Sequence, residues 1–503
     1  YGQSWNQSIP DSSGYTEVFR SGVPASIVES AGPILTKTIL KADFAWYAQD
    51  QWTLNRLTLN MGLRFDYLNA YDPAQTQYGG PLSQTRSFAE VDCLPCWKDI
   101  NPRVGVAYDV FGNGRTAIKG HIGRYVVAET NQQSDLYDPA ITAVNTVTRS
   151  WKDTNGDFIP QCDMLNPLAN GECGPMSDAA FGKSKITTTP DPATLNGWGA
   201  RGYNWQTGVS IEQLIGSSVA VTAGFYRTWY GNFGLGAGPS PTQIIHNTYL
   251  TPASFDPYCV TAPIDTRLPG GGGNLICGLY DLNPSKVGLV NNIVTFASKY
   301  GKMTEIYNGV DLNARVRLPH GGIVQGGMNW GNSISTTVGL GVTQSAVNMC
   351  FVVDNPQQLR FCDVEPPYQP RLKVFGSYPL LAGFQVAANF QSLPGAPIAA
   401  TWNAPNSVIA PSLGRNLSGG AASAAIQLIA PDTIFERRII QLDLRLSKSV
   451  RVAGLRLQGM FDCYNVLNAN PVTQMNTTYG PQWLTPTQIL DARLFKFGVQ
   501  MDF

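Results

Sequence analysis

From Arg56 to Tyr67 the chain alternates without a break. Leu57, Leu59, Met61, Leu63, Phe65 and Tyr67 are apolar, and Arg56, Thr58, Asn60, Gly62, Arg64 and Asp66 alternate with them. A period of two held over about twelve residues marks a β-strand longer than the usual five or six. The pattern returns near 303–318, where Val310, Leu312, Ala314, Val316 and Leu318 alternate with Asp311, Asn313, Arg315 and Arg317. It returns near 437–447 (Ile440, Leu442, Leu444, Leu446 against Gln441, Asp443, Arg445). The next segment sets Leu455, Leu457, Gly459 and Phe461 against Arg456, Gln458 and Asp462. Extended along the chain, this reading gives about thirteen strands. They fall near 40–52, 56–67, 101–110, 114–127, 200–213, 217–231, 303–318, 321–337, 369–380, 384–393, 435–449, 455–466 and 488–503.

The polar face of strand after strand carries arginine, aspartate and glycine. A soluble sandwich would turn that face to bulk water. A closed sheet in a membrane turns it to a lumen and its apolar face to lipid. The connections point the same way. Very short turns at 53–55, 111–114, 215–218, 319–322, 381–383 and 452–454 alternate with long segments at 68–100, 128–199, 232–302, 338–368, 394–434 and 468–487. Short periplasmic turns and long extracellular loops are the habit of outer-membrane barrels. The expected fold class is therefore all-β, a transmembrane antiparallel β-barrel of the bacterial outer membrane. An odd strand count that begins outside implies further strands upstream, since such barrels have an even number with both ends periplasmic. Residues 1–39 then read as an extracellular loop and the tail of a preceding strand, and 40–503 as the C-terminal portion of the barrel. The start at Tyr1, with no signal peptide, is expected to be a cut from a longer, exported chain.

Composition narrows the class. Of 503 residues only 14% are charged, and 35 Lys plus Arg balance 35 Asp plus Glu, which argues against a nucleic-acid partner. No run of about 18 apolar residues occurs, so no transmembrane helix is expected. Trp46, Tyr47, Trp52, Trp205, Trp229, Tyr230 and Trp330 sit near strand ends, where interfacial aromatics belong.

Candidate chemistry is sparse. The cysteines pair by proximity, Cys93 with Cys96, Cys162 with Cys173, Cys259 with Cys277 and Cys350 with Cys362, leaving Cys463 over. Disulfide-closed loops in an oxidising compartment are expected, because CLPC lacks the second CxxC or histidine of a metal site. Asp153, Asn155 and Asp157 alternate as in calcium loops, with Asp163 close behind. The glycine sits at the fourth position instead of the sixth, and the twelfth is not acidic; a polar turn is the competing reading. LPGGGGN at 268–274 lacks the GK[ST] of a phosphate loop and reads as a flexible tip. His121, His246 and His320 are scattered and no GxSxG motif accompanies them, so neither catalytic residues nor a cofactor is expected. Arg493 falls on the apolar side of the last strand, where it is expected either to meet lipid phosphate at the outer interface or to mark the end of the lipid band. The lumen charges Arg64, Asp66, Arg315, Arg317, Asp443, Arg445, Arg456 and Asp462 are expected to bind one another or whatever fills the lumen.

The stretch WYAQDQWTLNRLTLNMGLRFDY (46–67) resembles the barrel of TonB-dependent outer-membrane receptors. NPRVGVAYDV (101–110), YNGVDLNARVRL (307–318), FDCYNVLNANP (461–471) and the terminal LFKFGVQMDF are similar to that family as well, most of all to its Oar-like members. The resemblance implies a barrel of about twenty-two strands, of which about nine would precede Tyr1 together with a plug domain and TonB box. For the intact protein, with that plug and TonB box, it implies energised uptake of a bulky nutrient such as a siderophore, oligosaccharide, peptide or cobalamin. The alternatives are a surface structural or adhesive protein and a passive porin. The partners implied are outer-membrane lipid and lipopolysaccharide, TonB, a surface lipoprotein, and the barrel-assembly machinery, which would read the terminal Phe503.

Overall fold

The computed structural model describes residues 2–8, 14–128, 132–232, 244–332, 334–335, 343–344, 346–348, 350–452 and 454–502. All thirteen expected strands are present, and a fourteenth precedes them. Numbered along the chain, they are β1 Gly2–Ser8, β2 Ile34–Leu54, β3 Leu57–Tyr71, β4 Cys96–Asp109, β5 Thr116–Val126, β6 Tyr203–Ile215 and β7 Val219–Gly231. There follow β8 Thr304–Arg317, β9 Ile323–Gly331, β10 Gln369–Pro379, β11 Phe384–Leu393, β12 Ile439–Val452, β13 Leu455–Tyr464 and β14 Leu494–Asp502. Each pairs antiparallel with the next, in sequence order, from β1 to β14. The main sheet also holds the short inserts Asn196–Trp198, Ala346–Asn348 and Asp363–Val364. Phe503 lies outside the described residues.

Register settles which side each residue takes. Leu59 faces Val106, Met61 faces Val104 and Phe65 faces Ile100 across β3–β4, so one continuous apolar surface forms. It stays exposed: Leu63, Ile100, Val104, Ile122, Val209 and Phe225 are all solvent-accessible, as residues meant for lipid must be. The ladder ends on β14, where Phe497 and Val499 are 78% and 79% exposed. No helix among the described residues is long and apolar enough to cross a membrane, which leaves crossing by strands untouched.

The short turns are built from left-handed backbone. Asn55 (φ 51°) makes the two-residue turn between β2 and β3, a conformation asparagine tolerates better than most residues. At 110–115 the Asp109 carboxylate accepts the N–H groups of Gly112 (2.9 Å) and Gly114 (2.8 Å), which closes the turn from within.

Two placements differ from expectation. The last strand begins at Leu494, and Pro486–Ile489 pairs instead with Val472–Met475 in the loop. Arg493 therefore precedes β14, with its guanidinium on Val466 O (2.6 Å) and its N–H on Asn468 Oδ1 (3.1 Å). Tyr47 pairs with Arg64 and shares the lumen side with it, whereas Trp46 pairs with Phe65 on the lipid side. Alternation forbids two successive residues from joining one girdle.

Candidate functional site

Two surfaces can meet a ligand: the polar inner wall and the canopy of loops above it. The wall is arranged in arcs. On β3–β5 Arg64 binds Asp66 (2.8 Å), Asn101 donates to Asp66 (2.7 Å), and Arg124 reaches both Asn101 (2.8 Å) and Asp99 (3.1 Å). Lys119 pairs with Glu212 (2.7 Å) between β5 and β6. On β12–β13 Arg445 is bonded to Asp462, and Asp443 accepts from Gln441 (2.9 Å) and the Asn465 N–H (2.8 Å). Five of the eight lumen charges named from the sequence are thus internally satisfied. Arg315, Arg317 and Arg456 make no salt bridge among the described residues.

Aromatic rings fill the wall where glycine leaves room. A Cβ on Gly208 would lie 2.5 Å from the Tyr226 ring and 2.7 Å from His121, and one on Gly331 would meet Tyr307 at 2.8 Å. The rings lie flat over these glycines and cover otherwise bare backbone. Recesses open along the wall among the described residues. One, of about 500 Å³, is lined by Tyr47, Gln49, Asn60, Arg64, Arg103 and Tyr125 among others. The second, of about 400 Å³, is edged by Arg315, Lys373, Asn313 and Gln325. The second thus holds two cations without carboxylate partners among the described residues.

The canopy has cores of its own. The hairpin Phe255–Thr261/Leu275–Leu282, stapled by Cys259–Cys277, packs Tyr258, Val260, Ile276 and Leu279 against Ile409 of the helix Asn406–Leu413 and against Ile426. Arg415 binds Asp256 (2.6 Å) and Asp281, locking the helix's exit to the hairpin. Trp483 is buried with Leu268, Ala400 and Ile429 and donates to Ala399 O (2.8 Å). Arg267 covers its ring at 5.2 Å and holds the Asp265 carboxyl well below the usual carboxylate range by a bidentate contact. The Gly-rich tip 268–274 is therefore anchored at its base by Leu268. A second body is the three-stranded sheet of Tyr15–Arg20, Val23–Ser30 and Thr146–Ser150, where Arg149 meets Glu29.

All four expected disulfides form: Cys93–Cys96, Cys162–Cys173, Cys259–Cys277 and Cys350–Cys362, with Cys463 free. In the loop of the alternating acids, Asp153 accepts the N–H groups of Gly156 (2.7 Å) and Phe158 (3.0 Å). Asp157 accepts from Ile159 (2.8 Å), and Asp163 accepts from Leu165 (2.9 Å). Asn155 accepts from Asp157 (3.1 Å). Among the described residues no three such side chains converge as a metal centre. Phe158, the sixth position, takes φ 59° in place of a glycine. The structure adds Glu172, which the Cys162–Cys173 bond brings to this loop. It accepts from Thr154 N (2.7 Å) and Oγ (2.6 Å), and these bonds hold its pKa down at about 2. His121 lies on the wall, His320 in a short turn, and His246 beside Asp354 (3.4 Å); they share no site.

The profile of the outer membrane beta barrel domain family matches residues 15–364. Similar solved structures include the outer membrane transporter YddB from Escherichia coli, at a TM-score of 0.44 and 9% identity, covering 93% of this chain and 55% of that one. The FrpB iron transporter from Neisseria meningitidis (F5-1 variant, apoprotein form) gives 0.41 and 11%, covering 93% and 46%. The ferripyoverdine receptor of Pseudomonas aeruginosa gives 0.42 and 11%, covering 95% and 39%. The chain thus spans 39% to 55% of the length of these structures. No curated protein sequence matches it.

Proposed function

Because this chain belongs to the outer membrane β-barrel domain family, we propose that it forms the wall and canopy of a TonB-dependent receptor importing a scarce, bulky nutrient. The observation that carries the reading is the division of labour between the two ends of the sheet. One end has only tight turns; the other has loops that pack into cores around Ile409 and Trp483, above a charged inner wall. A passive pore needs the wall but no such built canopy, and loops of this kind are where ligand contacts collect. A siderophore, oligosaccharide, peptide or cobalamin fits the proposal equally, and so do the partners: TonB, a surface lipoprotein over the canopy, lipopolysaccharide around the apolar face, and the assembly machinery acting on Phe503. Calcium at Asp153, Asn155, Asp157 and Asp163 belongs to it as a loop stiffener, tested by calorimetric calcium titration of the wild type against Asp153→Asn.

The test is uptake in the native cell. Deleting the gene should abolish growth on one class of scarce nutrient, and its return should restore growth only while the proton-motive force is intact. Unchanged uptake with loss of surface attachment would instead establish an adhesive protein. Steady ion conductance by the isolated protein, with uptake indifferent to the proton-motive force, would establish a porin.

A further inference from the structure

Asp72 follows directly on β3 and turns into the canopy, with 1% of its surface exposed. Its backbone bridges Val91 in both directions (3.0 and 2.9 Å), yet neither carboxylate oxygen has a hydrogen-bond partner among the described residues. The helix Gln132–Tyr137 sits beside this stretch, since Gln75 bonds Asp138 and Ser134 bonds the Leu94 carbonyl next to Ala70. The carboxyls of Asp135 and the fully buried Asp138 act on Asp72 electrostatically.

The neighbouring polar groups Asp138, Asp135 and Gln75 each have partners among the described residues, and the Lys37 ammonium, on the same strand as Thr38, makes no salt bridge among them. Asp138 accepts from Gln75 Nε2 (2.9 Å) and Ala140 N (2.7 Å), and Asp135 bonds the Thr38 hydroxyl on β2. Gln75 in turn bonds both backbone groups of Lys37. Lys41 is held by Asp92 at 2.9 Å, and no salt bridge among the described residues includes Asp72. Tyr137, whose phenol burial pushes up, packs with Leu94, Leu195 and Val294, and Ser134 donates to Leu94 O (2.5 Å). The helix is thus the keystone between β3 and two other loops.

Asp72 and Asp138 are buried and Asp135 partly so, and a buried carboxylate with no hydrogen-bond partner, in the field of two others, is not readily charged without a counter-charge. Among the described residues no cation is bonded to Asp72, and no three side chains are placed to hold a metal. A proton is the remaining way to balance them. We infer that the helix Gln132–Tyr137 is a proton-held latch on the extracellular rim, docked while the Asp72 carboxyl is neutral and released when it ionises.

Burial, with Asp138 and Asp135 adding to it, carries Asp72 from 3.8 to about 8. The docked form therefore binds the proton more tightly than the undocked form. Docking is fully supported below the undocked value near 4. It weakens by up to about tenfold per pH unit until about pH 8 and is flat above. Acid would keep the helix clamped over Leu195 and Val294; neutral and alkaline media would loosen it.

Hydrogen–deuterium exchange of the full chain in detergent, at pH 5, 7 and 9 with intrinsic rates divided out, tests this. Protection of 132–138 should fall at least about tenfold from pH 5 to 9, while the carboxylate-free helix Asn406–Leu413 stays constant. Asp72→Asn should remain protected at pH 9. A flat wild-type profile, or an Asp72→Asn variant as pH-dependent as the wild type, overturns the latch. Should that variant not fold, Asp138→Asn must move the midpoint downward, and an unmoved midpoint is equally fatal. Protection gained from calcium chloride and lost to EDTA at pH 7 would assign a cation where we place a proton.

Discussion

Arg149 and Glu29, 120 residues apart in sequence, meet at 3.2 Å with neither side chain exposed. Arg149 also donates to the carbonyls of Gly174 (2.9 Å), Asn166 (3.0 Å), Leu168 (2.9 Å) and Asp163 (3.3 Å), so one guanidinium ties loop 152–177 to the small sheet. Arg149→Met removes the only counter-charge, among the described residues, of a carboxylate that burial already disfavours, and strands four carbonyls. A loss of about 3–5 kcal/mol is expected, confined to this body. Proteolysis of intact cells should then cut within 152–177 and leave 255–282 untouched; an uncut loop would refute the assignment.

Glu172 gives the same loop an acid-sensitive edge. Hydrogen bonds from Thr154 hold its folded pKa at about 2, below the ordinary 4.5. A depressed carboxylate contributes stability above pH 4.5 and loses it as pH falls toward 2. Trp151 donates to the same carboxylate (3.3 Å) and reports its state by fluorescence. Its emission should shift through that window in the wild type, and stay constant in Glu172→Gln.

The wall makes a packing prediction. At Gly208 a methyl group would sit 2.5 Å from Tyr226 and 2.7 Å from His121. Gly208→Ala should destabilise by about 1–3 kcal/mol, seen as a lower temperature for the shift from folded to unfolded mobility in a detergent gel. Tyr226→Ala removes the closer of the two clashes and leaves that with His121, so the double variant should be more stable than the sum of the singles but not fully restored. Additive effects would mean that the ring does not lie over the glycine.

How much of this was written in the sequence depends on the range of the contacts. Strands such as Leu57–Tyr71 were legible because each residue's side is set by its neighbours two away. The turns were legible because Asn55, Gly112 and Gly114 carry the backbone requirement themselves. The disulfides followed from proximity. Arg493 was misplaced because Pro486 and its neighbours form a separate loop strand, which alternation alone cannot separate from the last wall strand. The canopy was not legible: Ile409 meets Tyr258, and Gln75 meets Asp138, through contacts without period. One cue existed. Val147, Arg149 and Trp151 alternate with Thr148 and Ser150, and an arginine on the apolar side of such a run signals a buried partner.

Sidedness can be tested at one depth of the sheet. Val209, in the middle of β6, pairs with Phe225 and is 59% exposed on the apolar side. Thr222, three residues along β7, pairs with Glu212 and lines the recess of Arg315 on the polar side. An arginine on the lipid face near the mid-plane costs about 2–4 kcal/mol, while one in a watery lumen costs little. Val209→Arg should therefore cut the folded fraction recovered in the outer membrane and lower its unfolding midpoint in lipid vesicles. Thr222→Arg joins Arg315 and Lys373 at the recess, but in a watery lumen that repulsion is screened, so it should be clearly milder than Val209→Arg. In a soluble sheet the order would reverse, because an exposed valine accepts arginine freely and a lined recess does not. Equal tolerance of the two, or greater harm at Thr222, would remove the membrane from the account of this fold.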